Sequence, residues 1–390
     1  MSREPGGLVA SAAQEKIDTA IRLGKPDRVP VAPMLDIFSS RYAGVSQHDM
    51  LFKVRRGDAA VAKVHRDLGP IDGFGMSNSG LAPMMKALAV VPPVLPGVDG
   101  VDEDSLWQFD EKTVMSPDEY TDLARDPGAF IHRKALEHNP DINGKASYWL
   151  HTAGAYRAFV EIALSARRWR RKGVEPVVAG NNIFFPMEYM TMVLRSVSDF
   201  MTDLFRYPDE VRAASRAMMK SDSGKWLLGP RLSGVQRAFI GLTRTSATFL
   251  SPKQFEKFAL DDLRDMCDYL IAHGVTPVLH MDNEWTPLFH FFADWPRGKC
   301  VANLDGSSDI FEAKEVLGEV MCIMGDVPAS LMKLGEPEEV RDYCRRLIEV
   351  VGAGGGFILS SGCDMPIDAR LDNVKAMISS VHDYGRYGRS

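Results

Sequence analysis

Eight short apolar runs, each ending at a polar or glycine-containing corner, constrain this chain more than any other feature. They cover residues 29–35, 71–77, 176–181, 238–243, 276–282, 300–305, 320–326 and 356–363. Helical patterns separate those in the second half, at 252–273, 308–317 and 336–351. Strands alternating with helices require crossover connections and hence a parallel sheet. Eight such units predict a closed α/β architecture, a (β/α)8 TIM barrel, which usually needs about 250 residues before insertions. The chain has 390, and the excess falls mainly between the second and third runs, at about 78–175. That stretch holds a turn-rich segment (VVPPVLPGVDG) and an amphipathic helical pattern at 155–171, and it reads as an insertion between the second and third strands. No Gly/Ser or Pro-rich linker divides the chain. Residues 1–14 read as a flexible N-terminal arm and 15–390 as a single barrel domain, opening with a helix at 15–23.

Composition narrows the partners. A formal net charge of −6, with a single basic run at 167–172, lacks the concentrated basic surface that nucleic acid or an anionic membrane requires. No window reaches about 18 uninterrupted apolar residues, so no membrane span is expected. Five cysteines, an odd number, make no disulfide framework and point to reduced thiols in a cytoplasmic protein.

Barrel geometry then filters the polar residues, because active sites of this architecture sit at the C-terminal ends of the strands. Those ends carry Asp36, Asn181 with Asn182, Arg244, His280 with Asp282, Asp305, Asp326, and Cys363 with Asp364. Of the five thiols, Cys267 and Cys344 fall within helical patterns, Cys300 opens its strand and Cys322 lies inside one. Those four read as packing residues. Only Cys363 ends a strand, in GFILSSGCDMP, where a glycine before it and a proline after it suit a sharp corner. His280 ends TPVLHMD, and the strand period of two puts Val278, His280 and Asp282 on one face. A histidine and a carboxylate at i and i+2, joined by a thiol from a distant strand, make a three-ligand set for Zn(II) with an open fourth position. Glu284 is the competing carboxylate if the strand continues two residues further. An isolated His-x-Asp pair is equally compatible with a tethered histidine in a polar loop.

Four segments together resemble a known family: DRVPVAPM after Lys25-Pro26, the TPVLHMD strand, IMGDVPASLMKLGEPEEV, and GGFILSSGCDMPIDARLDNVKAM. They are similar to the uroporphyrinogen decarboxylase superfamily and, more narrowly, to its cobalamin-dependent methyltransferase branch. The resemblance runs from about Lys25 to Tyr384 and implies a (β/α)8 barrel. The decarboxylases grip a porphyrinogen's carboxylates with an Arg-Gln-Ala-Gly-Arg-Tyr stretch after the first strand. Here that stretch is LDIFSSRYAG, which keeps Arg41 and Tyr42 but lacks the second arginine. A polycarboxylate needs several such cations, so decarboxylation is disfavoured. The methyltransferase branch holds zinc with His-x-Cys on the fifth strand and Cys on the eighth. His280 and Cys363 match, and Asp282 stands where the middle cysteine would be.

A carboxylate in place of a thiolate hardens the site, which suits an ether oxygen better than a soft thiol. The resemblance therefore implies a zinc-dependent methyltransferase acting on a methyl ether, a methoxylated aromatic, in corrinoid-dependent O-demethylation. Asp305 and Asp326 are the expected catalytic carboxylates, orienting His280 or donating a proton, or else capping the following helices. Asp36, Asn181, Phe184, Met187, Tyr189 and Trp285 are the expected substrate-pocket residues, with core packing the competing reading for the apolar ones. No Asp-x-His-x-x-Gly signature is present, so the corrinoid (cobalamin) is expected on a separate partner protein. Two readings compete: methyl transfer from a corrinoid protein to coenzyme M or another thiol, and a barrel without metal. A homo-oligomer is left open.

Overall fold

The computed structural model describes residues 11–75, 77–179 and 182–388. Its strands are β1 (Gly73–Phe74), β2 (Glu175–Pro176), β3 (Asn182–Phe184), β4 (Arg237–Leu242), β5 (Thr276–Met281), β6 (Val301–Leu304), β7 (Cys322–Val327) and β8 (Phe357–Ser361). Every pairing is parallel: β1 with β2, and β3 to β8 in sequential order. The segment around Val31 joins the two sheets. Val31 bridges Leu359 of β8, and Ala32 N–H donates to the Leu359 carbonyl at 2.9 Å. On its other side, Val31 accepts from Asp72 N–H at 3.0 Å, just before β1. β2 and β3 follow one another in the third stave, the first paired with β1 and the second with β4. The expected barrel is thus formed from eight staves.

The last five staves match the apolar runs to within two residues at each end, whereas the first three are much shorter. Pro30 and Pro33 flank Val31, and Pro176 interrupts the third; proline has no N–H to give to a ladder. Inside the barrel, Ala32, Met34, Val177, Phe239, Val278, Val301, Cys322, Met324 and Ile358 form one buried cluster. Alternate residues such as Leu279, Ala302, Ile323 and Leu359 join the larger cluster beneath the outer helices. The period-two reading of β5 is therefore physical: Val278 points in and Leu279 out.

The first helix spans Ala12–Ile21 and sends Ile17, Ala20 and Ile21 into the inner cluster, closing the N-terminal end. It starts three residues before the expected position because the Ser11 hydroxyl accepts from Gln14 N–H at 3.1 Å. The expected arm is shortened accordingly, and residues 1–10 lie outside the described residues. Buried ion pairs reinforce the same end. Glu175 accepts from Arg170 Nε at 3.1 Å and from Arg237, which also reaches Asp18 at 2.7 Å. Between β1 and β2, residues 78–174 include helices Ala82–Leu88, Tyr120–Arg125, Pro127–His138 and Lys145–Arg171. The last begins ten residues before its amphipathic pattern because its first turns leave Trp149 and Leu150 exposed, with no buried stripe to read. No helix among the described residues is long and apolar enough to cross a membrane.

Candidate metal centre at the C-terminal ends of the strands

His280 is the last inward-facing residue of β5 and is buried. Its ring lies 5.0 Å from that of Phe239, the inward residue of β4 below it. Gly241, beside His280 in register, adds no side chain at that level. The Nδ1 of His280 is 2.7 Å from Asn303 Oδ1, and Asn303 Nδ2 donates to the Met324 carbonyl at 3.2 Å. The second bond sets which way the amide faces, so Asn303 presents an acceptor and Nδ1 carries the proton. Nε2 is then the nitrogen left to ligate.

Nε2 faces the two other expected ligands. Asp282 Oδ1 is 3.0 Å away and Cys363 Sγ 3.6 Å away, and the three donor atoms lie within 4.8 Å of one another. A tetrahedral zinc with bonds of about 2.0–2.3 Å separates its ligand atoms by roughly 3.3–3.6 Å. His280 Nε2 therefore stands at nearly that spacing from both the oxygen and the sulfur, and nitrogen, oxygen and sulfur donors converging from two distant strands fit the ion. Burial alone would push the His280 imidazole down, but Asp282 and Cys363 beside it hold it well above the ordinary histidine range. Asp282 moves the opposite way: burial raises it, and the adjacent imidazole takes it below the usual carboxylate value.

The backbone around each ligand is fixed from several directions. Thr243 Oγ1 donates to Asp282 Oδ2 at 3.0 Å, leaving Oδ1 for the cluster. Trp285 Nε1 donates to the Asp282 carbonyl at 2.8 Å. Asn283 turns the chain with a positive φ of 66°, and its N–H donates to Asp305 Oδ2 at 2.8 Å. That turn ends the strand period, so Glu284 leaves the His280 face. Glu284 Oε1 instead accepts from Thr286 N–H at 2.7 Å, and it is outside the ligand cluster. On the other side, Gly362 N–H donates to the Val327 carbonyl at 2.9 Å. A Cβ at Gly362 would sit 2.1 Å from the Asp305 carbonyl oxygen, so only glycine lets the chain pass there on its way to Cys363.

The expected catalytic carboxylates are placed differently. Asp305 engages Asn283 and accepts from Ser307 N–H at 2.8 Å, shaping both ligand loops without touching His280. Asp326 accepts from Tyr343 O–H at 2.8 Å, on the outer helix Pro337–Arg346, and burial pushes it up to about 6. Neither orients the imidazole. Asn303 does, and the signal was an asparagine inside the apolar run Val301–Leu304, two residues after an inward valine.

Among the expected pocket residues, Trp285 is fully buried against Phe255 and Phe292, and Met187 is packed in the main core. Phe184 and Tyr189 meet edge to face at 6.1 Å and line a cleft with Ile131, Tyr148 and Trp226. Asn181 lies outside the described residues. Asp36 is buried: burial first, then Asp364, raise its carboxyl to about 8, against the opposing pull of Asn78 N–H. Glu188, unforeseen in the sequence, is fully enclosed. It accepts from Arg244 N–H, Thr245 N–H and Thr245 Oγ1 at 2.7–3.0 Å, and burial holds it at about 7. Glu188 thereby clamps the turn that carries Thr243.

The fold and site define a class: a parallel α/β barrel presenting a histidine, a carboxylate and a thiol at the C-terminal ends of its strands. Within that class, residues 164–384 match the family model described as uroporphyrinogen decarboxylase (URO-D). The chain belongs to the uroporphyrinogen decarboxylase family. Among curated proteins, a uroporphyrinogen decarboxylase from Pseudoalteromonas translucida is 25% identical over 141 residues, 35% of this chain and 38% of that protein. Another, from Methylococcus capsulatus, is 30% identical over 82 residues, 21% of this chain and 23% of that protein. The matches thus span well under half of these relatives. Among solved structures, a methyltransferase from Methanosarcina mazei superposes with a TM-score of 0.67 at 14% identity, over 96% of this chain and 99% of that one. A likeness at that identity is one of fold.

Proposed function

We propose that this protein is a zinc-dependent methyltransferase that moves the methyl group of a methyl ether, a methoxylated aromatic, to Co(I) of a corrinoid carried by a separate protein. The observation that carries the reading is the convergence of Asp282 Oδ1 and Cys363 Sγ on His280 Nε2, at 3.0 and 3.6 Å, on a barrel mouth. When bound there, zinc supplies Lewis acidity that stabilises negative charge on the departing oxygen, worth several kcal/mol. The chain's own residues do the rest. Asn303 holds the imidazole tautomer, Thr243 selects the carboxylate oxygen, and Gly362 admits the thiol. The partner's corrinoid would supply the electron pair that accepts the methyl group as the methyl–oxygen bond breaks, and the released oxygen would take a proton from solvent.

The curated relatives are named decarboxylases, but the mouth of this barrel disfavours a polycarboxylate. Asp36, Asp282, Asp364 and Glu188 gather there, charged or protonated, where a polycarboxylate needs bidentate arginines. The surviving Arg41–Tyr42 pair stands aside: Arg41 is exposed, and Tyr42 O–H bonds Asp67 at 3.2 Å on helix Val54–Leu68. Metal analysis and a corrinoid-methylation assay test the proposal. One zinc per chain and methyl transfer from methoxyarenes are expected; activity with thiols alone would favour a coenzyme M-type enzyme.

A further inference from the structure

Helix Lys145–Arg171 has two apolar faces. One, with Ala155, Ala158, Ile162, Ala166 and Trp169, is buried against the molecule. On the opposite face Trp149 is 63%, Leu150 71% and Tyr156 72% exposed, with Ala153 exposed between them. A surface helix ordinarily turns charged and polar residues outward. Aromatic and aliphatic groups clustered in solvent mark an interaction surface. The order of these residues says what they meet. At about 100° per residue, Ala153 lies on the midline of the exposed face. Trp149 and Tyr156 are nearly two full turns apart and share one edge of it, and Leu150 and Arg157 share the other in the same way. On each edge one residue precedes Ala153 and the other follows it by nearly the same distance.

We propose that this face is the interface of a symmetric dimer, its occupant the same helix of a second copy of this chain. When two such helices cross antiparallel at Ala153, the two-fold axis sets each residue against the one on its own edge equally far beyond the centre. Trp149 of each copy then packs on Tyr156 of the other, and Leu150 on the aliphatic stem of Arg157. Ala153 and Gly154 leave room for close approach at the crossing. Arg157 is neutralised within its own helix by Glu161, 3.6 Å away, so the pairing strands no charge. The paired segment, Lys145 to Glu161, is roughly 24 Å long. Trp149, Leu150 and Tyr156 offer on the order of 400 Å² per chain, about half of what each partner gives to a standard stable interface. The dimer is therefore weak and reversible, and it stands whether or not the methyltransferase reading does.

The test is sedimentation velocity on the full-length chain from about 1 to about 100 μM, with mass expected to rise from one chain towards two. Trp149→Glu and Tyr156→Glu should each weaken association at least about tenfold. Both side chains are exposed, so the melting temperature of the monomer should not change. The register has its own readout. Ala153→Cys places two thiols at the two-fold axis, and a mild thiol oxidant should join them into a disulfide-linked dimer. Phe205→Cys, exposed on helix Val197–Arg206, serves as the control and should not cross-link. A monomer at every concentration would overturn the proposal. So would a dimer that both glutamate variants leave intact, or cross-linking through Cys at 205 as fast as through Cys at 153.

Discussion

At the scale of single residues, the centre depends on partners as much as on ligands. His280→Ala removes the nitrogen donor, and zinc is expected to fall from one per chain to near zero by metal analysis. Asn303→Leu leaves all three ligands but frees the imidazole to rotate and change tautomer. A loss of about 10–100-fold in zinc affinity is expected, as for other residues that orient a metal-bound histidine. Asp36 makes a prediction about pH. Its folded value of about 8 stands above the roughly 3.9 of an unfolded aspartate, so the folded state binds the extra proton. Stability is therefore greatest below the unfolded value and declines as pH rises from about 4 through about 8. Asp36→Asn removes the titrating group. Denaturant melts should show a flatter pH profile and a gain on the order of 1–4 kcal/mol near pH 7; an unchanged slope would refute the assignment.

At the scale of elements, the two ligand loops are built around one residue of the intervening strand end. The Asp305 side chain holds the Asn283 turn, and its backbone carbonyl lies against Gly362. Gly362→Ala forces a methyl group into that carbonyl, so it should cost more than about 2 kcal/mol and displace Cys363. Both a lower melting temperature and weaker zinc binding are expected. The sequence located Cys363 and its corner correctly because glycine and proline mark such turns locally. It misplaced Glu284 as an alternative because a positive φ at Asn283 ends the strand period, and nothing in the flanking residue types announces that. Asp305 and Asp326 stood out as acids at strand ends. Their partners, Asn283 and Tyr343, come from other loops and helices and were invisible to a reading along the chain.

At the scale of the whole molecule, the candidate ligands and the buried ion pairs of Glu175 lie at opposite ends of the barrel. The N-terminal end is sealed by the first helix and by Glu175, buried between Arg170 and Arg237. Removing one partner of a buried pair strands the others, so Glu175→Ala should destabilise by about 3–5 kcal/mol. Zinc affinity of the folded fraction should stay unchanged, since the centre lies at the far end of β4 and β5. The sequence alone determined the architecture, because period-two apolar runs alternating with helical patterns admit little besides a parallel barrel. It also singled out His280 and Cys363 with either Asp282 or Glu284, because strand parity and strand ends are local properties, and the turn at Asn283 separated the two carboxylates. Tertiary structure decided what surrounds them. Asn303, Thr243, Glu188, Asn78 and Asp364 gain their meaning from contacts between staves far apart in the chain. Such contacts are fixed by register and ring closure, which no single segment encodes.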